Sequence, residues 1–230
     1  MMRPVRAVLF DLDGTLLNTL SDIAHAMNTV LSEHGFPVHD PDDYRSMVGL
    51  GLDVLVRLAL PAERREDERL VDELSREWLR EYARDPVART RPYDGIVPLV
   101  DELRRRGIVV GVLSNKADEL VRRSVDELFG PDRFAAVWGK RDGFPTKPDP
   151  ASALAVAREI GAEPGEVVYI GDSDVDMETA HRAGMVPVGA AWGFRGADEL
   201  REAGAARIVF EPLELIDVVE ESEHVASYES

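Results

Sequence analysis

The 230-residue sequence predicts a doubly wound α/β fold: a parallel sheet covered by helices on both faces, with an all-helical cap inserted after the first strand. Three observations carry this expectation. From residue 95 onward, short apolar runs alternate with helical patterns, as in strands joined by crossover helices. Residues 17–84 show helical spacing and no strand signal. The first apolar run, Val5–Phe10, therefore has no place to pair except with the later series.

The elements follow in order. Val5–Phe10 is a short apolar run bounded by a turn, which reads as a strand. Thr19–His34 carries Leu20, Ile23, Ala24, Met27, Val30 and Leu31 at helical spacing, and Gly35 and Pro37 close it. Asp40–Ser46 reads as a short helix and Gly51–Leu60 as another, ended by Pro61. Ala62–Arg84 reads as one long helix laced with Glu and Arg. Then come a helix over Gly95–Arg106, a strand over Ile108–Leu113, a helix over Lys116–Leu128 and a short strand over Phe134–Trp138. A helix over Pro148–Ile160, a strand over Val167–Ile170 and a helix over Asp174–Ala183 follow. Val186–Ala190 and Arg207–Phe210 read as the last strands, and the acidic stretch 221–230 as a loose tail. The expected division is a core of residues 1–16 and 85–220 with a helical cap over 17–84.

Composition narrows the partners. An apolar fraction of 44% builds a core, and no cysteine is present to form disulfides or thiolate metal sites. The absence of cysteine fits a reducing, cytoplasmic setting. The first apolar run is short and broken by Asp11 and Asp13, unlike a secretory leader, and no window approaches a membrane span. A net charge of −17 disfavours nucleic acid and anionic membranes. It also means that an anionic substrate needs local positive charge from a metal ion, helix N-termini or a placed Lys. Lysine occurs only at 116, 140 and 147, so the other 24 of 27 cations are arginine. A monomer or homodimer is expected.

Four short motifs fall where a parallel sheet would gather them, at the carboxyl ends of strands. They are Asp11-Leu12-Asp13-Gly14-Thr15, Ser114-Asn115-Lys116, Lys147-Pro148-Asp149 and Gly171-Asp172-Ser173. Each has a plainer reading. DxDG can be a turn with Gly14 at positive φ. Ser114-Asn115 can cap a helix, and Lys147 can be a solvated cation. Asp172, Asp174, Asp176 and Glu178 can simply favour a helix N-terminus. Together and in this order, "DxDGT", "SN", "KPDP" and "GDSDVD" resemble the haloacid dehalogenase-type hydrolases, and among them the phosphoglycolate phosphatase-like branch with a helical cap. "VGLGLDVLV" at 48–56 and "RPYDGI" at 91–96 add to the likeness.

The resemblance implies a Mg²⁺-dependent phosphomonoester hydrolase acting on a small phosphorylated metabolite such as phosphoglycolate, through an aspartyl-phosphate intermediate. It implies Asp11 as nucleophile, a role a carboxylate can fill by forming an acyl phosphate, and Asp13 as general acid and base. Asp11, Asp172 and the main-chain carbonyl of Asp13 would hold the metal, with Asp176 behind them. Ser114, Asn115 and Lys147 would hold the phosphoryl group. Gly49, Asn18, Arg45 and Arg57 are candidates to touch the substrate from the cap, and Lys116 and Lys140 are read as surface residues. Asp13 disfavours carbon–halogen and carbon–phosphorus cleavage. The uncharged stretch Val48–Leu52 disfavours a mutase, although mutase and pyrophosphatase activity stay open. A phosphoacceptor signalling domain would be shorter and lack the insert. The stretches after Thr15 and at Asp85–Pro92 are the expected hinges of the cap.

Overall fold

The computed structural model describes residues 4–227, with side chains described to Ser222. Strand β1 (Ala7–Phe10) is buried on both faces. Ala7 and Leu9 pack into one apolar cluster and Val8 and Phe10 into another, as the two-residue period of a strand requires. A two-residue strand β2 (Leu17–Asn18) leads into α1 (Leu20–Glu33), a 3₁₀ turn at Pro41–Ser46 and α2 (Leu52–Ala59). Helix α3 (Glu68–Tyr82) completes the insert, and β3 (Arg91–Pro92) returns antiparallel beside β2. The chain continues through α4 (Ile96–Arg105), β4 (Val109–Ala117), α5 (Asp118–Phe129), β5 (Ala136–Lys140) and α6 (Ala151–Glu159). Strand β6 (Val167–Gly171), α7 (Asp174–Ala183), β7 (Val186–Ala190), α8 (Ala197–Glu202), β8 (Arg207–Val209) and α9 (Leu215–Ser227) follow.

The main sheet has six parallel strands in the order β5-β4-β1-β6-β7-β8. The chain winds outward from β1 through β4 and β5, then returns to the other side of β1 for β6, β7 and β8. The direction reverses between β1 and β6, and a doubly wound sheet opens its ligand crevice at that point, beyond the carboxyl ends. Phe10 lies level with Val112 on β4 and Ile170 on β6. The residues that follow on these three strands therefore emerge together.

The insert has its own apolar cluster, built from α1, α2 and α3 and including Met27, Leu31, Val56, Leu74 and Trp78. Leu120 of α5 and Phe194 after β7 join that cluster from the core side. Asp22, buried in the first turn of α1, accepts hydrogen bonds from the backbone N–H groups of Arg89 and Thr90 at 2.9 and 2.8 Å and from the Thr90 hydroxyl at 2.8 Å. It thereby fixes the returning chain against the outgoing one.

Four expectations need correction. The stretch 62–84 is not one helix. Asp67 accepts a hydrogen bond from the Leu70 N–H at 3.1 Å and starts a new helix, α3, after a short turn. Leu17–Asn18 is strand rather than helix, because it pairs with Arg91–Pro92. Strand β4 runs on through Ser114-Asn115-Lys116 to Ala117, with an irregularity after Leu113. The supposed loose tail continues α9 to Ser227, and residues 228–230 lie outside the described residues. Ser222 anchors that helix: it is fully buried, and its hydroxyl accepts the Val5 N–H at 3.0 Å.

Candidate active site

The carboxyl ends of β1, β4 and β6 deliver Asp11, Ser114 and Asp172 to one crevice, and Lys147 reaches it from the loop before α6. All four side chains are buried. The Lys147 ammonium lies 2.8 Å from Asp11 Oδ1 and 2.7 Å from Asp176 Oδ1. Asp176 is held by the start of α7, where its Oδ2 accepts the Ser173 hydroxyl at 2.6 Å and the Ser173 N–H at 3.2 Å. Asp172 Oδ2 accepts the Phe194 N–H at 2.6 Å. Glycine is required beside it: at Gly14, with φ +85°, a Cβ would stand 2.1 Å from Asp172 Oδ2.

Side-chain oxygens of Asp11, Asp172 and Asp176 lie within 4.8 Å of one another. Burial, then repulsion by Asp176, pushes Asp11 up to about 7 against the pull of Lys147. Burial, then Asp176 and Asp11, holds the Asp172 carboxyl well above the usual carboxylate range. Burial alone would lower Lys147, but Asp11 and Asp176 outweigh it and keep its ammonium strongly protonated. Three buried carboxylates thus face one ammonium. Such an excess of buried negative charge is costly unless protons or a cation offset it. The donor set is all oxygen, which suits a hard divalent cation.

Asn115 binds protein with its side chain. It accepts the Lys147 N–H at 2.8 Å and donates to the Lys147 carbonyl at 3.0 Å and the Gly49 carbonyl at 2.9 Å. It therefore staples the Lys147 loop to the insert. Lys116 is not a surface residue. Its side chain is 5% exposed, and its ammonium lies 2.7 Å from Asp13 Oδ1 and 2.8 Å from the Tyr82 hydroxyl. The Asp13 carboxylate thus stands outside the Asp11–Asp172–Asp176 group and is tied to α3.

A cavity of about 480 Å³ opens over these residues. Asp11, Asp13, Ser114, Asn115, Lys116 and Lys147 form its floor, and the insert supplies its other wall. Of the four expected insert residues, only Gly49 lines it. Asn18 is exposed on the β2–β3 ribbon, Arg45 is engaged with Asp42, and Arg57 donates to Glu68 and to the Arg65 carbonyl. The guanidinium groups of Arg45 and Arg57 thus already have partners. Lys140 is exposed yet borders the cavity. His34 meets Glu73 and Glu77 on the insert, its Nε2 2.6 Å from Glu77 Oε2.

The doubly wound sheet thus ends in a crevice that holds three buried carboxylates around one buried lysine. Residues 8–190 match the family model described as haloacid dehalogenase-like hydrolase, and the chain belongs to that family, in its phosphoglycolate phosphatase-like branch. It is 33% identical over 190 residues to a phosphoglycolate phosphatase of Aquifex aeolicus, covering 83% of this chain and 86% of the relative. It is 31% identical over 217 residues to an N-acetylmuramic acid 6-phosphate phosphatase of Pseudomonas aeruginosa, covering 94% of this chain and 95% of the relative. A solved structure from Lactobacillus delbrueckii subsp. bulgaricus, described as a "putative phosphoglycolate phosphatase", superposes with a TM-score of 0.86 at 29% identity, over 95% of this chain and 99% of that one. The protein is a phosphatase. Among the described residues no helix is long and apolar enough to cross a membrane.

Proposed function

We propose that the protein is a Mg²⁺-dependent phosphomonoesterase of small phosphorylated metabolites, working through a phosphorylated Asp11. The observation that carries this reading is the convergence of Asp11, Ser114, Lys147 and Asp172 at the switch between β1 and β6. Asp11, Asp172 and the Asp13 carbonyl would hold the ion, with Asp176 buried behind them and bound to Lys147. The ion supplies charge neutralisation, letting a phosphate dianion approach a carboxylate.

The chain's own residues then divide the work. Asp11 is fixed by β1 and by the Lys147 ammonium, and its carboxylate attacks phosphorus as the ester P–O bond breaks. Ser114 and Lys147 offset the charge on the phosphoryl oxygens. Asp13 gives a proton to the departing alkoxide. It then takes one from the water that hydrolyses the acyl phosphate, which returns Asp11 and releases phosphate. The β2–β3 ribbon is where the helical insert would hinge, closing over the ester and opening to release the alcohol.

The test is steady release of phosphate from p-nitrophenyl phosphate with and without Mg²⁺, for wild type and Asp11→Asn. Multiple turnovers that need both the ion and Asp11 are expected. Activity that persists in Asp11→Asn would refute the mechanism, and a single turnover without release would favour a phosphoacceptor.

A further inference from the structure

The cavity wall facing the motif residues is mostly apolar. Ile23, Val48, Leu52, Leu55, Trp78 and Leu79 all line it. One stripe of α3, with Asp72, Ser75, Arg76 and Leu79 at helical spacing, borders the cavity, Ser75 buried and Asp72 and Arg76 exposed. Within that stripe the Ser75 hydroxyl is an anomaly. The residue is 7% exposed, and its Oγ has no hydrogen-bond partner among the described residues. A helical serine usually returns its hydroxyl to the carbonyl one turn back; this one does not, and a buried hydroxyl left unpaired is costly.

The charges are placed elsewhere. Lys116 and Lys147 on the floor are taken up by Asp13, Asp11 and Asp176. The other cations lining the cavity, Arg76 and Lys140, are exposed, as are the carboxylates Asp53 and Asp72 that accompany them. A carboxylate on the leaving alcohol, pressed against Leu52, Leu55 and Leu79, would lose water and gain no partner from those side chains; the cations that could meet it, Arg76 and Lys140, are the exposed ones. The volume of about 480 Å³ also falls in the roughly 300–1,000 Å³ range of sites that enclose whole drug-sized ligands. A two-carbon hydroxy acid would leave most of it unfilled.

The geometry points to a phosphate ester of a bulky, uncharged, ring-bearing alcohol, which lays an apolar ring face on the Leu52–Leu55–Leu79 wall and exchanges one hydrogen bond with Ser75. This rests on the phosphatase reading above and fixes the substrate class of the same cavity. It makes Ser75 and Leu79 specificity-determining residues.

The test compares kcat/KM, in the presence of Mg²⁺, for benzyl phosphate, glucose 6-phosphate and 2-phosphoglycolate, all esters of primary alcohols. At least one ring-bearing ester is expected to exceed 2-phosphoglycolate by about ten-fold or more. Leu79→Phe, which fills the wall, should cut that ratio by about ten-fold. Ser75→Ala should cut it for glucose 6-phosphate more than for benzyl phosphate. Equal or better turnover of 2-phosphoglycolate by the wild type overturns the proposal, as does a ratio unmoved by Leu79→Phe. No turnover of any ester with Mg²⁺ is a different failure: it sinks the catalytic reading, and this proposal with it.

Discussion

The buried carboxylates predict an unusual response to pH in the metal-free protein. Asp11 is pushed up to about 7 from an ordinary 3.8, chiefly by burial and then by Asp176. Between those values the folded carboxyl keeps its proton while the unfolded one has lost it, so unfolding releases a proton. Stability from this group is complete below pH 4 and is lost as pH rises towards 7. At about 1.4 kcal/mol for each pH unit, the whole effect is about 4 kcal/mol, of which about 3 kcal/mol falls between pH 5 and pH 8. Asp172, also raised, acts in the same direction. A divalent ion held by the proposed site would reverse the balance, binding the ionised carboxylates and stabilising the fold by about 2.7 kcal/mol at a hundred-fold excess over its Kd. The assay is urea unfolding followed by tryptophan fluorescence at pH 5 and pH 8, in EDTA and in Mg²⁺. Because the net charge of −17 also opposes compactness as pH rises, Asp11→Asn serves as the reference. In EDTA its loss between the two pH values should be smaller than that of the wild type by about 3 kcal/mol. Equal pH slopes in the two proteins, or no stabilisation by Mg²⁺ at pH 8, would refute the reasoning.

Two further outcomes follow from buried pairs. Lys116→Met keeps the side-chain stem but removes the ammonium that joins Asp13 to Tyr82. Loss of a charge-assisted hydrogen bond, about 1.5–3 kcal/mol, should lower kcat on an alkyl phosphate by about ten- to a hundred-fold with KM nearly constant. A raised KM with unchanged kcat would instead make Lys116 a substrate-binding group. Asp22→Ala removes the acceptor for the Arg89 and Thr90 N–H groups at the return from the insert. It should cost about 3 kcal/mol in chemical unfolding, and a change below about 1 kcal/mol would show that the ribbon alone holds the crossing.

The core was legible because its signals are local. A parallel strand is a short apolar run, and β6, α7 and β7 follow the sequence pattern closely. What escaped depends on partners distant in sequence. Leu17–Asn18 is a strand only because Arg91–Pro92 lies beside it. The acidic composition of α9 hid its anchor, since Ser222 gains its meaning from the Val5 N–H, 217 residues away. Asp22 lies in the first turn of α1, and nothing local in the sequence shows that Arg89 and Thr90 come back to it.

The same division runs through the site, and lysine shows where the boundary lies. In a chain that otherwise uses arginine, scarcity was a reason to single out Lys147, and it applied equally to Lys116 and Lys140. All three line the one cavity. The physical cause is the shape of the cation. An ammonium is a compact point charge that fits between two buried carboxylates, as Lys147 does between Asp11 and Asp176. A planar guanidinium needs room for its fork. Arginine serves the exposed pairs, such as Arg105 with Glu102 and Arg122 with Asp118, where that room exists. Lys116 and Lys147 stand where positive charge must enter a crowded, desolvated crevice, whereas Lys140 is exposed at the cavity. Composition alone therefore held a pointer to Lys116, although its partners, Asp13 from β1's end and Tyr82 from α3, become visible only when the insert is folded over the sheet.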